Sequence, residues 1–95
     1  MPDLVVELDC VDADERADEF QHHLLDHNLI PALVDKESHE NEIWLKYPGL
    51  QADIIKKIAQ DAHPWCLDRN LGLLQNTSEA PNMTLMIADL SRVLE

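Results

Sequence analysis

Leu4-Val5-Val6-Glu7-Leu8-Asp9-Cys10-Val11, followed at once by Asp12-Ala13-Asp14-Glu15-Arg16-Ala17-Asp18-Glu19-Phe20, decides the fold class. The first stretch alternates with a period of two. Leu4, Val6, Leu8 and Cys10 share one face, while Val5, Glu7, Asp9 and Val11 share the other, as in a strand buried on one side. The second stretch changes period. Ala13, Ala17, Phe20, Leu24 and His27 recur at helical spacing, and Asp12 with Glu15 three residues on has the pattern of a capping box. Asn28 suits the left-handed residue that ends a helix, and Leu29 is placed to fold back on the last turn. Strand followed directly by amphipathic helix makes this an α/β-type chain.

Working outward, Ile30 to Lys36 reads as a second strand with Pro31 near its start. Ser38-His39-Glu40-Asn41 is a polar turn. Glu42 to Tyr47 alternates as a third strand, with Ile43, Leu45 and Tyr47 on one face and Trp44 and Lys46 on the other. Pro48-Gly49 closes it. A second helix near 50–62 follows from the stripe Leu50, Ile54, Ile55, Ile58 and Ala62, with His63-Pro64 as its stop. Trp65-Cys66-Leu67 reads as a short fourth strand, and Leu71 to Leu74 as strand or loop. Gln75 to Asn82 is a polar connection. The tail has two readings: Thr84 to Ala88 as a strand, or a helix capped by Asn82 with Met83, Met86, Ile87, Leu90, Val93 and Leu94 as its stripe. The helical pattern is the longer, and a helical tail is expected. The result is one α+β domain over 1–95. Residues 1–74 would form a ferredoxin-like βαββαβ two-layer sandwich, and 75–95 an amphipathic extension.

The stretch Glu15 to Phe20, then Leu25-Asp26-His27-Asn28-Leu29-Ile30-Pro31-Ala32-Leu33-Val34, then Glu42-Ile43-Trp44-Leu45 and a helix, resembles small prokaryotic signal-transducing domains. Those have a fold related to that of the nitrogen regulatory PII proteins. The resemblance covers about residues 14–59 and implies a ferredoxin-like fold. It brings no catalytic residues with it, and Asn28-Leu29-Ile30-Pro31-Ala32 stands where those domains often read Gly-Ile-Pro-Ala.

The chain has 95 residues and a net charge of −12, with 45% apolar residues, a composition that suits a folded globule. Residues 1–42 hold thirteen acids against two bases, or −11; residues 43–95 hold six against five, or −1. Such a field repels nucleic-acid phosphates and anionic lipid, so direct nucleic-acid or membrane binding is not expected. A partner with a basic protein surface is. No apolar run approaches the ~20 residues of a membrane span. Met1-Pro2-Asp3-Leu4 carries no signal-peptide pattern, so a cytoplasmic setting with Cys10 and Cys66 as free thiols is expected.

Catalytic motifs are missing. With Gly49 and Gly72 as the only glycines, no phosphate-cradling loop or nucleophile elbow is available. Cys10 and Cys66 have no zinc-ligand spacing and lack the electropositive setting that activates a thiol. Glu19, His23 and His27 lie four apart on one helix edge, and a His pair at that spacing is able to chelate a transition metal. Leu24 after His23 excludes the metalloprotease pattern. The plainer reading leaves His22 and His23 solvated and His27 at the helix C-terminus, so no metal or cofactor is expected. A metal- or ligand-responsive sensor using His23 and His27 is the alternative.

The second face of the sheet is the more informative feature. Val5, Val11, Leu33 and Trp44 point there by alternation, among Glu7, Asp9, Asp35 and Lys46. Left open, this surface would bind a partner or a second copy; the tail helix folding across it is the competing arrangement. The expected function is a non-enzymatic interaction module, such as a small bacterial or phage regulator, adaptor or inhibitor. Its contact residues would be Val5, Glu7, Asp9, Val11, Asp14, Asp18, Leu33 and Trp44.

Overall fold

The computed structural model describes residues 2–77 and 82–90. Its elements are β1 (Leu4–Asp9), α1 (Ala13–Asp26), β2 (Glu37–His39), β3 (Glu42–Tyr47), α2 (Ala52–Leu67), β4 (Leu71–Asn76) and β5 (Met83–Asp89). The five strands form one sheet in the order β2-β3-β1-β5-β4. β1 lies at the centre, antiparallel to β3 with Val6 opposite Leu45, and parallel to β5 with Val6 opposite Leu85. Hairpins β2–β3 and β4–β5 complete the two edges. Both helices pack on the face that carries Leu4, Val6, Leu8, Leu45, Leu85 and Ile87, all fully buried. The protein is an α+β two-layer structure.

The strand order is not that of a plain βαββαβ sandwich, and the tail is the reason. The expected helical extension is instead strand β5, inserted between β1 and β4. Met83, Leu85 and Ile87 carry a period-two pattern inside the helical one, and the two overlap too closely for spacing to separate them. Tertiary demand decides it. A central strand as apolar as β1 needs neighbours on both sides to satisfy its backbone groups, and β5 supplies the second. The Asp3 N–H donates to Asn82 Oδ1 at 2.9 Å and the Met83 N–H to the Asp3 carbonyl at 3.0 Å, which sets the register. Met83–Asp89 are therefore part of the central sheet rather than an appendage to it. Val93 and Leu94 of the expected stripe lie outside the described residues.

Four other expectations are corrected. Ile30 to Lys36 is not a strand. Ile30 drops into the core, and the segment then runs along the helix layer, where the Gln21 side chain holds Val34 by both backbone groups (3.0 and 2.9 Å). Only Glu37–His39 pair with β3. Pro64 does not end α2, and Trp65-Cys66-Leu67 is its last turn rather than a strand. A proline inside a helix costs about 3 kcal/mol. Here Trp65 and Cys66 continue the buried stripe of Ile58 and Ala62, and their burial offsets that cost. Asp12 makes no side-chain cap; it is itself left-handed, with φ 58°.

The end of α1 follows expectation. Asn28 is left-handed, and the Leu29 N–H reaches the Leu24 carbonyl at 2.9 Å while Asn28 bonds Leu25 at 3.1 Å, a Schellman closure. α1 meets α2 through Phe20 edge-on to Trp65, with centroids 5.0 Å apart. Arg69 lies over the Trp65 ring at 4.2 Å and donates to Glu19 at 3.1 Å. Among the described residues no helix is long and apolar enough to cross a membrane.

Candidate functional site: the open face of the sheet

With both helices on one side, the other face of the sheet carries the remaining alternate residues of each strand. The strand registers place Glu37, Trp44, Glu7, Met86 and Leu74 side by side in one row across all five strands. Lys46, Val5, Thr84 and Asn76 form the neighbouring row. On the other side lie His39 opposite Glu42, and Asp9 opposite Ala88. Met86 is 37% and Leu74 50% exposed; Trp44 and Val5 are half-buried.

Trp44 is the organising side chain. Its ring stacks on His39 with centroids 4.0 Å apart and planes 26° from parallel. The Lys46 ammonium sits 5.7 Å from its centroid. Glu37 links the two, 3.2 Å from His39 Nε2 and 3.4 Å from Lys46 Nζ. The hydrogen bond to His39 first, then Lys46, holds the Glu37 carboxyl below its ordinary range. Glu7 moves the other way: burial first and the Glu42 charge second raise it. The Trp44 indole N–H is buried without a partner among the described residues.

Of the residues expected to make contact, this face gathers Val5, Glu7, Asp9 and Trp44. Val11 follows the end of β1 and is exposed in the turn to α1, its N–H donating to Asp89 Oδ2 at 3.2 Å. Leu33 is exposed in the 27–36 connection, away from the sheet ladder. Asp14 and Asp18 belong to the helix layer, and both bind Lys36 Nζ, at 3.0 and 2.9 Å. The acidic helix and the tryptophan face are thus two surfaces. His39, Glu37, Met86 and Leu74 were not expected there. Glu40-Asn41 as a two-residue hairpin turn, with Glu40 left-handed at φ 54°, is the signal that would have put His39 beside Trp44.

The helix histidines are engaged. His23 Nε2 contacts the Asp61 carboxylate on α2, His27 Nδ1 lies 2.8 Å from the His23 carbonyl, and His22 Nδ1 lies 2.8 Å from the Asp18 carbonyl. The His23 and His27 rings are 4.2 Å apart. Glu19, the third residue on that edge, binds Arg16 and Arg69 instead. Among the described residues no group of three or more His, Cys, Asp or Glu side chains is arranged to hold a metal ion. Burial pushes the Cys10 thiol up to about 11 and the Cys66 thiol up to about 12, so neither is poised as a nucleophile. A shallow recess of about 470 Å³ between the end of α1 and the start of α2 is lined mainly by Leu25, Leu29, Leu50 and Ile54 and offers no titratable group.

Compared with known proteins, the chain matches no protein family, no curated protein and no solved structure.

Proposed function

We propose that this chain is a non-enzymatic, acidic protein-interaction module that binds a basic protein surface through the open face of its sheet. One observation carries the reading: a half-buried tryptophan, stacked on His39 beside Lys46, lies in one row with Glu37, Glu7 and Met86, and near Glu42, on the face that both helices leave uncovered. Aromatic anchors contribute the largest single terms in protein interfaces, and surrounding carboxylates select cationic partners and speed encounter. A chain of net charge −12 adds a long-range field of the same sign. The role that fits is a small cytoplasmic regulator, adaptor or inhibitor of bacterial or phage origin. The fold is read as a ferredoxin-like variant with β5 inserted beside β1, and residues 14–59 as the part that resembles the PII-like domains.

The test is affinity capture from host extract at low and moderate salt, run in parallel with the parent chain, Trp44→Ala and a Glu7→Lys, Glu42→Lys double variant. A protein retained by the parent and lost by both variants, each still folded by circular dichroism, is the expected result. Equal retention by all three removes the open face from the function.

A further inference from the structure

The two edges of the sheet are built differently. β2 is three residues long and carries Glu37 and His39, which are ordinary protections against pairing with another chain. β4 has neither protection. It runs six residues, Leu71-Gly72-Leu73-Leu74-Gln75-Asn76, without a proline, and residues 71–77 include no charged side chain. In a chain of net charge −12, β4 is, among the described residues, the edge strand that sets no carboxylate of its own against a second copy.

The ladder shows which backbone groups β4 leaves available. The Leu90 N–H donates to the Asn70 carbonyl at 3.1 Å, and these two residues extend the β4–β5 register by one step beyond Leu71 and Asp89. In an antiparallel pair the hydrogen-bonded residues alternate, so Gly72, Leu74 and Asn76 bond inward to β5. The N–H and C=O groups of Leu71, Leu73 and Gln75 therefore point out of the edge. An antiparallel strand is complementary to itself across a two-fold axis, which is the symmetry of most homodimers. An axis through Leu74 sets Leu73 against Gln75 of the other copy and Gln75 against its Leu73, using the outward groups in pairs. It also puts Leu74 opposite Leu74 in a non-hydrogen-bonded position, where side chains lie closest. Leu74, 50% exposed, gains the apolar contact it lacks in the single chain.

We propose that β4 pairs antiparallel with β4 of a second copy, Leu74 facing Leu74 across the axis, so that the sheet continues through ten strands. This dimer joins two open faces side by side and leaves Trp44, three strands away, free for a different partner.

Sedimentation velocity of the full chain over micromolar to submillimolar concentration tests it. The parent is expected to reach the dimer. Leu74→Lys and Leu74→Glu, each setting like charges against one another at the axis, are expected to sediment as monomers, and an equimolar mixture of the two is expected to recover a dimer. Gln75→Pro, which deletes an outward N–H while sparing the bonds to β5, is expected to be a folded monomer. A parent that stays monomeric throughout, a dimer that survives both Leu74→Lys and Gln75→Pro, or a charge mixture that forms no heterodimer overturns the proposal. Trp44→Ala is expected to leave the dimer intact, and its dissociation by that variant also counts against the β4 edge.

Discussion

The imidazole of His39 lies nearly parallel to the indole of Trp44, 4.0 Å between centroids, and joins the edge strand β2 to its neighbour β3. The stack adds to the backbone pairing of β2 with β3 and to the Glu37–Lys46 ion pair in holding this three-residue strand in place. Such a ring pair contributes about 1 kcal/mol beyond the area it buries. His39→Ala is expected to lower stability by about that amount and to expose the indole. In a Trp65→Phe background, the emission of Trp44 should shift to longer wavelength and become more open to acrylamide quenching.

Glu7 is held above its ordinary value of 4.5 by burial and by Glu42. The folded chain therefore holds its proton more tightly than the unfolded chain does. Stability from this group is fully present below the unfolded value and falls as pH rises through the folded one. Glu7→Gln is expected to raise the Tm at pH 7 by about 1–2 °C, a small effect because the group is partly solvated. The difference should vanish below pH 4.5. A Tm gain that persists in acid would place its origin outside this titration.

Gln21 is the only buried polar residue among those described, at 3% exposure. Its amide accepts from the Val34 N–H, donates to the Val34 carbonyl, and accepts from the Tyr47 hydroxyl at 3.1 Å. Gln21→Leu leaves three groups without a partner, each costing about 1–3 kcal/mol if it stays buried. Loss of about 2–4 kcal/mol in urea unfolding is expected, allowing for water reaching the freed groups. Faster amide exchange at Val34 before global unfolding would locate the damage in the 27–36 connection.

Local pattern was enough where one period ruled. β1, α1 and β3 each carry a single clear repeat, and the left-handed Asn28 announced the end of α1. Reading failed where a side chain distant in sequence made the decision. Gln21 diverts 30–36 from β2, and nothing within that segment shows it. Pro64 reads as a stop until Trp65 and Cys66 are seen to extend the stripe of Ile58 and Ala62. Met83 to Ile87 carry strand and helix periods together, and the unpaired side of β1 chooses between them. The candidate site was half legible for the same reason. Val5, Glu7, Asp9 and Trp44 come from clean alternation, whereas Met86 and Leu74 depend on β5 and β4, whose assignment depended on the whole sheet.

Neither cysteine is set up for reactivity. Against an ordinary value of 9.0, Cys10 stands at about 11 and Cys66 at about 12, burial being the first cause in both. The thiolate is the reacting form, so at pH 8 these shifts reduce it about a hundredfold and about a thousandfold. Disulfide-reagent labelling of the native chain should be slower than that of the urea-unfolded chain at both positions, and more so at the buried Cys66 than at the half-buried Cys10. Rapid native labelling of Cys66 would show that the end of α2 opens readily.

The acids of the N-terminal half divide between two surfaces, and their contributions to partner binding should divide with them. Asp14 and Asp18 on α1 share Lys36, which neutralises part of their field, and they lie in the layer opposite Trp44. Glu7 and Glu42 lie on the open face, close enough for the Glu42 charge to raise Glu7. Exposed charges around an interface act mainly on the encounter rate, and a buried aromatic acts mainly on the lifetime of the complex. For a basic partner on the open face, Glu7→Lys with Glu42→Lys should slow association about tenfold or more at low salt, and added salt should narrow the gap. Asp14→Lys with Asp18→Lys should slow it far less, since that pair stands behind the sheet and beside its own lysine. Trp44→Ala should leave association nearly unchanged and speed dissociation, with a loss of about 2 kcal/mol or more. Stopped-flow association and surface-plasmon dissociation on the four proteins separate these effects. Equal slowing by the two charge pairs would mean that the partner senses only net charge, and an unchanged dissociation rate in Trp44→Ala would move the contact off the sheet and onto α1.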